Sequence, residues 1–164
     1  MSQAAEEKLV NLLETLKGLQ RIALYSSFRN EVEAGLVFQE AQKLGMSVVF
    51  PKVEGEGLRF LEVPDLSEME EGRLGIIEPS GSKGQREWAL DEIDLIVVPG
   101  IAFDGEGYRI GFGKGYYDRT LANFRGWKVG LAYDFQILRK IPHGEEDIQC
   151  DWVVTDKRVV GRRL

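Results

Sequence analysis

The apolar run Ile93-Asp94-Leu95-Ile96-Val97-Val98 passes through Pro99-Gly100 into a stretch holding Gly105, Gly107, Gly111, Gly113 and Gly115, and then into Tyr116-Tyr117-Asp118-Arg119. A buried strand that ends on glycines and feeds a helix belongs to α/β architectures, in which such junctions face ligands. With few side chains in the way, backbone N–H groups can approach an anion and point at it. The helix expected over about Lys114–Asn123 adds the partial positive charge of its N-terminus, and Arg109 and Lys114 add whole charges. The stretch matches neither common nucleotide motif. Gly115 follows Lys114 where a P-loop requires Ser or Thr, and Tyr116 and Ile110 occupy the third-glycine positions of a dinucleotide fingerprint. On motif matching alone, a phosphate-binding loop and a flexible connection both stay open.

The rest of the chain alternates strand and helix patterns. Leu9, Leu12, Leu13 and Leu16 recur at helical spacing and predict an amphipathic first helix ending near Gly18. Ile22-Ala23-Leu24-Tyr25, a helix over Val32–Leu44 and a strand Val48-Val49-Phe50 stopped by Pro51 form a β-α-β unit. Leu58–Val63 alternates like a strand with one wet face, which suggests a hairpin or edge insertion. Asp65–Arg86 is polar and rich in turns, and strands are expected again at Lys128–Ala132 and Trp152–Val154. The predicted fold is α/β, a single three-layer domain spanning 1–164, with a mostly parallel sheet and helices on both faces. Ser26, Pro51, Gly100 and Tyr133 all fall at carboxyl ends of strands and are expected to converge.

Charge and cysteine usage exclude several classes. Lys plus Arg number 21 against 27 Asp plus Glu, a net charge of −6 that disfavours nucleic acid and anionic membrane as partners. Glu6 and Glu7 stand where a secretion signal would be basic and no apolar tract is long enough to span a bilayer, so a cytoplasmic protein is expected. Cys150, the single cysteine, excludes internal disulfides and cysteine-rich metal sites and reads as an inert, partly buried thiol.

Pro99-Gly100-Ile101-Ala102-Phe103-Asp104, then Gly107, then Arg109-Ile110-Gly111-Phe112-Gly113-Lys114-Gly115-Tyr116-Tyr117-Asp118 resembles the signature of 5-formyltetrahydrofolate cyclo-ligases, also called 5,10-methenyltetrahydrofolate synthetases. Ile22-Ala23-Leu24-Tyr25-Ser26 with Glu31-Val32-Glu33, Gly75-Ile76-Ile77-Glu78-Pro79 and Gly130–Gln136 extend the resemblance from Arg21 to Lys157. The resemblance implies a monomeric enzyme that uses ATP and Mg²⁺ to convert 5-formyltetrahydrofolate to 5,10-methenyltetrahydrofolate, ADP and phosphate, through a phosphorylated formyl group. Two other readings remain: a sugar-phosphate or acyl-CoA enzyme of similar fold, and a non-catalytic folate- or nucleotide-binding module.

Under the resemblance, ATP is expected against Arg109, Ile110, Gly111, Phe112, Gly113, Lys114, Gly115, Tyr116 and Tyr117. Arg109 offers phosphate a planar fork and Lys114 a mobile point charge; the alternatives are a pair between Arg109 and Asp104 or Glu106, and a solvated Lys114. Tyr116 and Tyr117 lie about 100° apart around a helix, so one ring can face a ligand while the other faces the core. The family pattern favours Tyr116 beside the folate, with Arg109, Lys114 and Tyr116 as the catalytic set. Glu31 is expected to bind the pterin edge, with Ser26 in the same pocket; a first-turn helix glutamate and a helix cap are the plain alternatives. Asp118 and Asp134 are the metal candidates, against a helix-dipole and a turn role. Lys52 is a further phosphate candidate, more simply a solvated lysine, and His143 reads as a loop residue. Two features depart from the family. Its basic N-terminal clamp has no counterpart before Arg21, leaving Lys8 as a substitute, and Phe112 replaces an arginine found in some relatives.

Overall fold

The computed structural model describes residues 2–27, 31–72, 75–81 and 84–161. Residues 73–74 and 82–83 of the turn-rich stretch therefore lie outside the description. Helix α1 covers Ser2–Thr15 and α2 Gly35–Lys43, and strands β1 (Arg21–Ala23), β2 (Ser47–Glu54), β7 (Leu95–Val98), β10 (Trp127–Leu131) and β12 (Trp152–Val154) form a parallel core. Antiparallel strands finish both edges: β13 (Val159–Gly161) beside β12, and β3 (Gly57–Glu62) then β6 (Glu87–Trp88) beside β2. The eight-stranded order is β13-β12-β10-β7-β1-β2-β3-β6.

Strand periodicity places the helices. Ile22, Val48, Leu95, Val97, Val129, Leu131, Trp152 and Val154 share one core with Leu9 and Leu13 of α1 and Val37 and Phe38 of α2. Their neighbours Ala23, Val49, Ile96, Val98 and Val153 point the other way, to Phe103, Leu121 and Phe124. The central strands are thus apolar on both faces, as a covered parallel sheet requires. Helix α3, Tyr116–Leu121, lies on the second face, so helices cover both sides of the sheet.

Three boundaries differ from expectation. Pro51 does not stop β2, which continues to Glu54 and pairs Pro51 with Phe60. Strand β1 ends at Ala23 opposite Val49, so beyond that point β2 has only β3 to bond, and a residue without an N–H is tolerated. Helix α2 begins at Gly35 rather than Val32, because its first free amides are met from a distance: Glu6 Oε1 of α1 accepts Leu36 N–H at 2.9 Å and Val37 N–H at 3.4 Å. Helix α3 has six residues instead of the expected ten, and contributes little of the N-terminal charge expected of it.

The glycine-rich stretch is also more ordered than a loop. Strand β8 (Ala102–Asp104) turns back into β9 (Arg109–Ile110), and β11 (Ile137–Leu138) pairs with β8. Phe103, fully buried, lies across Gly130 of β10, where any Cβ would collide with its ring. The flexible-connection reading therefore fails over 102–110. Strands β4 (Met69–Glu71) and β5 (Ile77–Pro79) form a separate two-stranded arm. Among the described residues no helix is long and apolar enough to cross a membrane.

Glu6 is 6% exposed, and burial raises its carboxyl above the ordinary value while the two amides oppose that shift. Replacing it with alanine leaves both N–H groups without their acceptor. Urea unfolding of Glu6→Ala at neutral pH is expected to show a loss of about 1–2 kcal/mol; unchanged stability would contradict the capping role.

Candidate active site

Strands β7, β1 and β2 are sheet neighbours, and their carboxyl ends open onto one cavity of about 720 Å³, within the usual range for small-molecule sites. Ser26 and Pro51 line it as expected, Pro99 takes the place foreseen for Gly100, and Tyr133 lies outside the lining. The whole run 109–118 forms one wall, and Glu31 stands on the cavity surface with Tyr25. Since α2 starts at Gly35, neither Glu31 nor Ser26 belongs to its first turn or cap.

Arg109 is held by both the hairpin and the sheet. Its Nη1 donates to the Pro99 carbonyl at 3.1 Å, its Nη2 lies 3.7 Å from Asp118 Oδ1, and its guanidinium sits 5.5 Å from the Tyr117 ring centroid. The side chain is only 6% exposed, and its Nε is buried with no acceptor among the described residues. The expected alternative, a pair with Asp104 or Glu106, is not formed: Asp104 accepts only backbone amides. Gly113 and Gly115 flank Lys114 with φ of 91° and 70°, a backbone that other residues resist.

The expected division of the two tyrosines is only partial. Both rings line the cavity, and Tyr117 also packs on the second core, where burial pushes its phenol well above the ordinary value against the pull of Arg109. Tyr116 faces Arg119, whose guanidinium is 5.5 Å from the ring centroid and donates to the Glu56 carbonyl. Burial likewise raises the Tyr25 phenol, with Glu31 charge next in effect, and its hydroxyl donates to the Val32 carbonyl at 2.8 Å. Glu31, Tyr25 and Tyr117 thus form one electrostatic cluster under the cavity.

The two metal candidates are not brought together. Asp118 lines the cavity beside Arg109, whereas Asp134 is outside the lining, hydrogen-bonded by Arg158 Nε at 2.8 Å and Thr155 Oγ1 at 2.9 Å. No group of three or more His, Cys, Asp or Glu suited to a metal ion occurs among the described residues. Lys52 is neither free nor on the cavity surface: its Nζ donates to Glu78 at 3.0 Å and to the Pro79 carbonyl at 3.2 Å. Lys8 on α1 is likewise outside the lining. His143, in the 139–147 segment, stacks on Tyr108 as a loop residue, and Cys150 is fully rather than partly buried, which pushes its thiol up to about 12.

Sequence reasoning missed the opposite wall. Ile76, Ile77 and Glu78 line the cavity from the β5 arm, and Ile141, Pro142 and Asp147 close it from the segment after β11. Glu78, 8% exposed, anchors its wall through Lys52 and the Val53 amide. The signal available was the Gly75–Pro79 segment, matched without a role.

The description of the 5-formyltetrahydrofolate cyclo-ligase family matches residues 1–156. The chain is 34% identical to the 5-formyltetrahydrofolate cyclo-ligase of Escherichia coli K12 over 144 residues, which is 84% of this chain and 79% of that one. Its fold is similar to the solution structure of Aquifex aeolicus 5,10-methenyltetrahydrofolate synthetase, with TM-score 0.79 and 38% identity over 98% of this chain and 84% of that one. The Mycoplasma pneumoniae 5,10-methenyltetrahydrofolate synthetase follows with TM-score 0.76 and 28% identity over 95% and 85%.

The Arg158 hydrogen bond holds the Asp134 carboxyl below the usual carboxylate value. A depressed folded pKa contributes stability above the unfolded value, about 3.9, and loses it as pH falls through the folded one. Asp134→Asn is therefore expected to lower the urea midpoint near pH 7, with the gap closing below about pH 4. A gap that stays constant down to about pH 3 would contradict this pairing.

Proposed function

The chain belongs to the 5-formyltetrahydrofolate cyclo-ligase family, a family of ligases, and from that membership we propose that it converts 5-formyltetrahydrofolate to 5,10-methenyltetrahydrofolate with ATP and Mg²⁺. The observation that carries the reading is Arg109: a charged side chain 6% exposed, lining the cavity, with a buried N–H that lacks an acceptor among the described residues. Such a group is costly without an anion and well suited to one.

The chemical obstacle is a formamide oxygen that does not leave as oxide. In the proposed reaction its lone pair attacks the γ-phosphorus and ADP departs. The N10 lone pair then attacks the activated formyl carbon, N10 gives up its proton, and the C–O bond breaks to release phosphate. Phosphoryl transfer asks chiefly for alignment and charge neutralisation. Arg109 fixes phosphate oxygens from the hairpin, and Lys114, on a flexible stem between two glycines, follows the transferred group. Glu31 accepts hydrogen bonds from the pterin edge with Ser26 beside it, and Tyr116 offers its ring to the pterin.

The residues fit Mg²⁺ in the manner usual for nucleotide complexes, where one or two carboxylates suffice beside phosphates and water. Asp118, a third exposed and on the cavity wall, is the carboxylate that would hold it. When bound, the ion supplies neutralisation of phosphate charge. Asp134, the other metal candidate, lies outside the cavity lining and is bonded to Arg158 and Thr155.

Mixing the protein with 5-formyltetrahydrofolate, with and without Mg-ATP, and following 5,10-methenyl absorbance tests the reading. Product is expected only with nucleotide. No folate product, with nucleotide-free turnover of a sugar phosphate or acyl-CoA instead, would favour that alternative reading, and binding of both ligands without product would favour a binding module. Arg109→Ala and Lys114→Ala are each expected to lower kcat/KM for ATP by about ten- to a hundredfold, the worth of one charge-assisted contact.

A further inference from the structure

Asp104, the last residue of β8, is 1% exposed. Its Oδ1 accepts the N–H groups of Glu106 and Tyr108, and its Oδ2 accepts the Ile141 N–H, each at 3.0 Å. The main chain reinforces the turn, since Asp104 N–H donates to the Tyr108 carbonyl at 2.9 Å and Gly107 N–H to the Asp104 carbonyl at 3.1 Å. A short turn alone does not need a buried carboxylate that takes two donors from the turn itself and a third from a segment 37 residues away.

What the carboxylate joins gives it meaning. Tyr108, whose amide it grips, immediately precedes Arg109, and Ile141 begins the wall that continues through Pro142 to Asp147. A second brace ties the same segments: the Tyr108 and His143 rings are stacked, with centroids 3.5 Å apart and planes within 6°. Neither Asp104 nor His143 lines the cavity.

We propose that Asp104 is a positioning residue, clamping the β8–β9 hairpin to the 141–147 wall and so fixing where Arg109 meets the nucleotide's phosphates. This rests on the reading that Arg109 holds those phosphates. An amide-gripped carboxylate fixes both segments without adding charge to the cavity surface. A displacement of about 1 Å in such a group is enough to cost up to about a hundredfold.

Asp104→Asn keeps an oxygen for Glu106 and Tyr108 but presents an NH₂ to the Ile141 N–H, which breaks the tie between segments while sparing the turn. The full-length variant and wild type are compared by calorimetric titration with Mg-ATP and by steady-state kinetics. The Mg-ATP Kd and KM are expected to rise about tenfold, with kcat within about threefold. His143→Ala, a change at an exposed position, is expected to raise the same Kd about two- to threefold and to be non-additive with Asp104→Asn.

A purely structural role would lower the thermal midpoint and leave the Mg-ATP Kd unmoved, which overturns the proposal. If Asp104→Asn does not fold, the His143→Ala Kd decides, and an unchanged value overturns it. Weakened nucleotide binding in a protein whose wild type forms no methenyl product would uphold the clamp and remove the catalytic reading instead.

Discussion

Arg109 carries a permanent charge at 6% exposure, and a guanidinium at that depth costs several kcal/mol unless acceptors and counter-charge surround it. The protein supplies part of that compensation: the Pro99 carbonyl, Asp118 at 3.7 Å and the face of Tyr117. These partners come from the end of β7 and from α3, so placing the charge also fixes how the glycine-rich segment lies on the sheet. The side chain also lines the cavity, where an anion would complete the compensation.

The sheet makes this arrangement affordable. Its parallel strands end together, and the hairpin β8–β9 is pressed onto them by Phe103 lying over Gly130. A side chain in place of Gly130 would lift the hairpin and with it Arg109. The arm β4–β5 supplies the facing wall and is held by the partly buried Lys52–Glu78 pair. Three irregular segments thus bound one cavity, each anchored to the regular sheet by a different physical device: ring packing, an ion pair, or amides on a carboxylate.

Much of this was legible from local pattern. The continuous apolar strands announced a sheet covered on both faces, and the Arg109–Asp118 run announced a cavity wall. What escaped was non-local. Pro51 looked like a strand end because nothing near it in sequence reveals that β1 stops first. The start of α2 depends on Glu6, thirty residues away. The glycines suggested a loop because the pairing of β8 with β9 rests on Phe103 packing and on Asp104, not on residues of high strand propensity. Lys52 reads from sequence as a phosphate contact or a solvated lysine and Asp134 as a metal ligand or a turn aspartate, whereas their partners Glu78 and Arg158 lie 26 and 24 residues away.

The claim on which the functional account stands is that the buried Arg109 guanidinium receives phosphate. The proton resonance of its Nε–H, followed by NMR during titration with a non-hydrolysable Mg-ATP analogue, reports this directly. A marked downfield shift with slowed solvent exchange is the predicted result. Saturable binding of the analogue with that resonance unmoved would contradict the account.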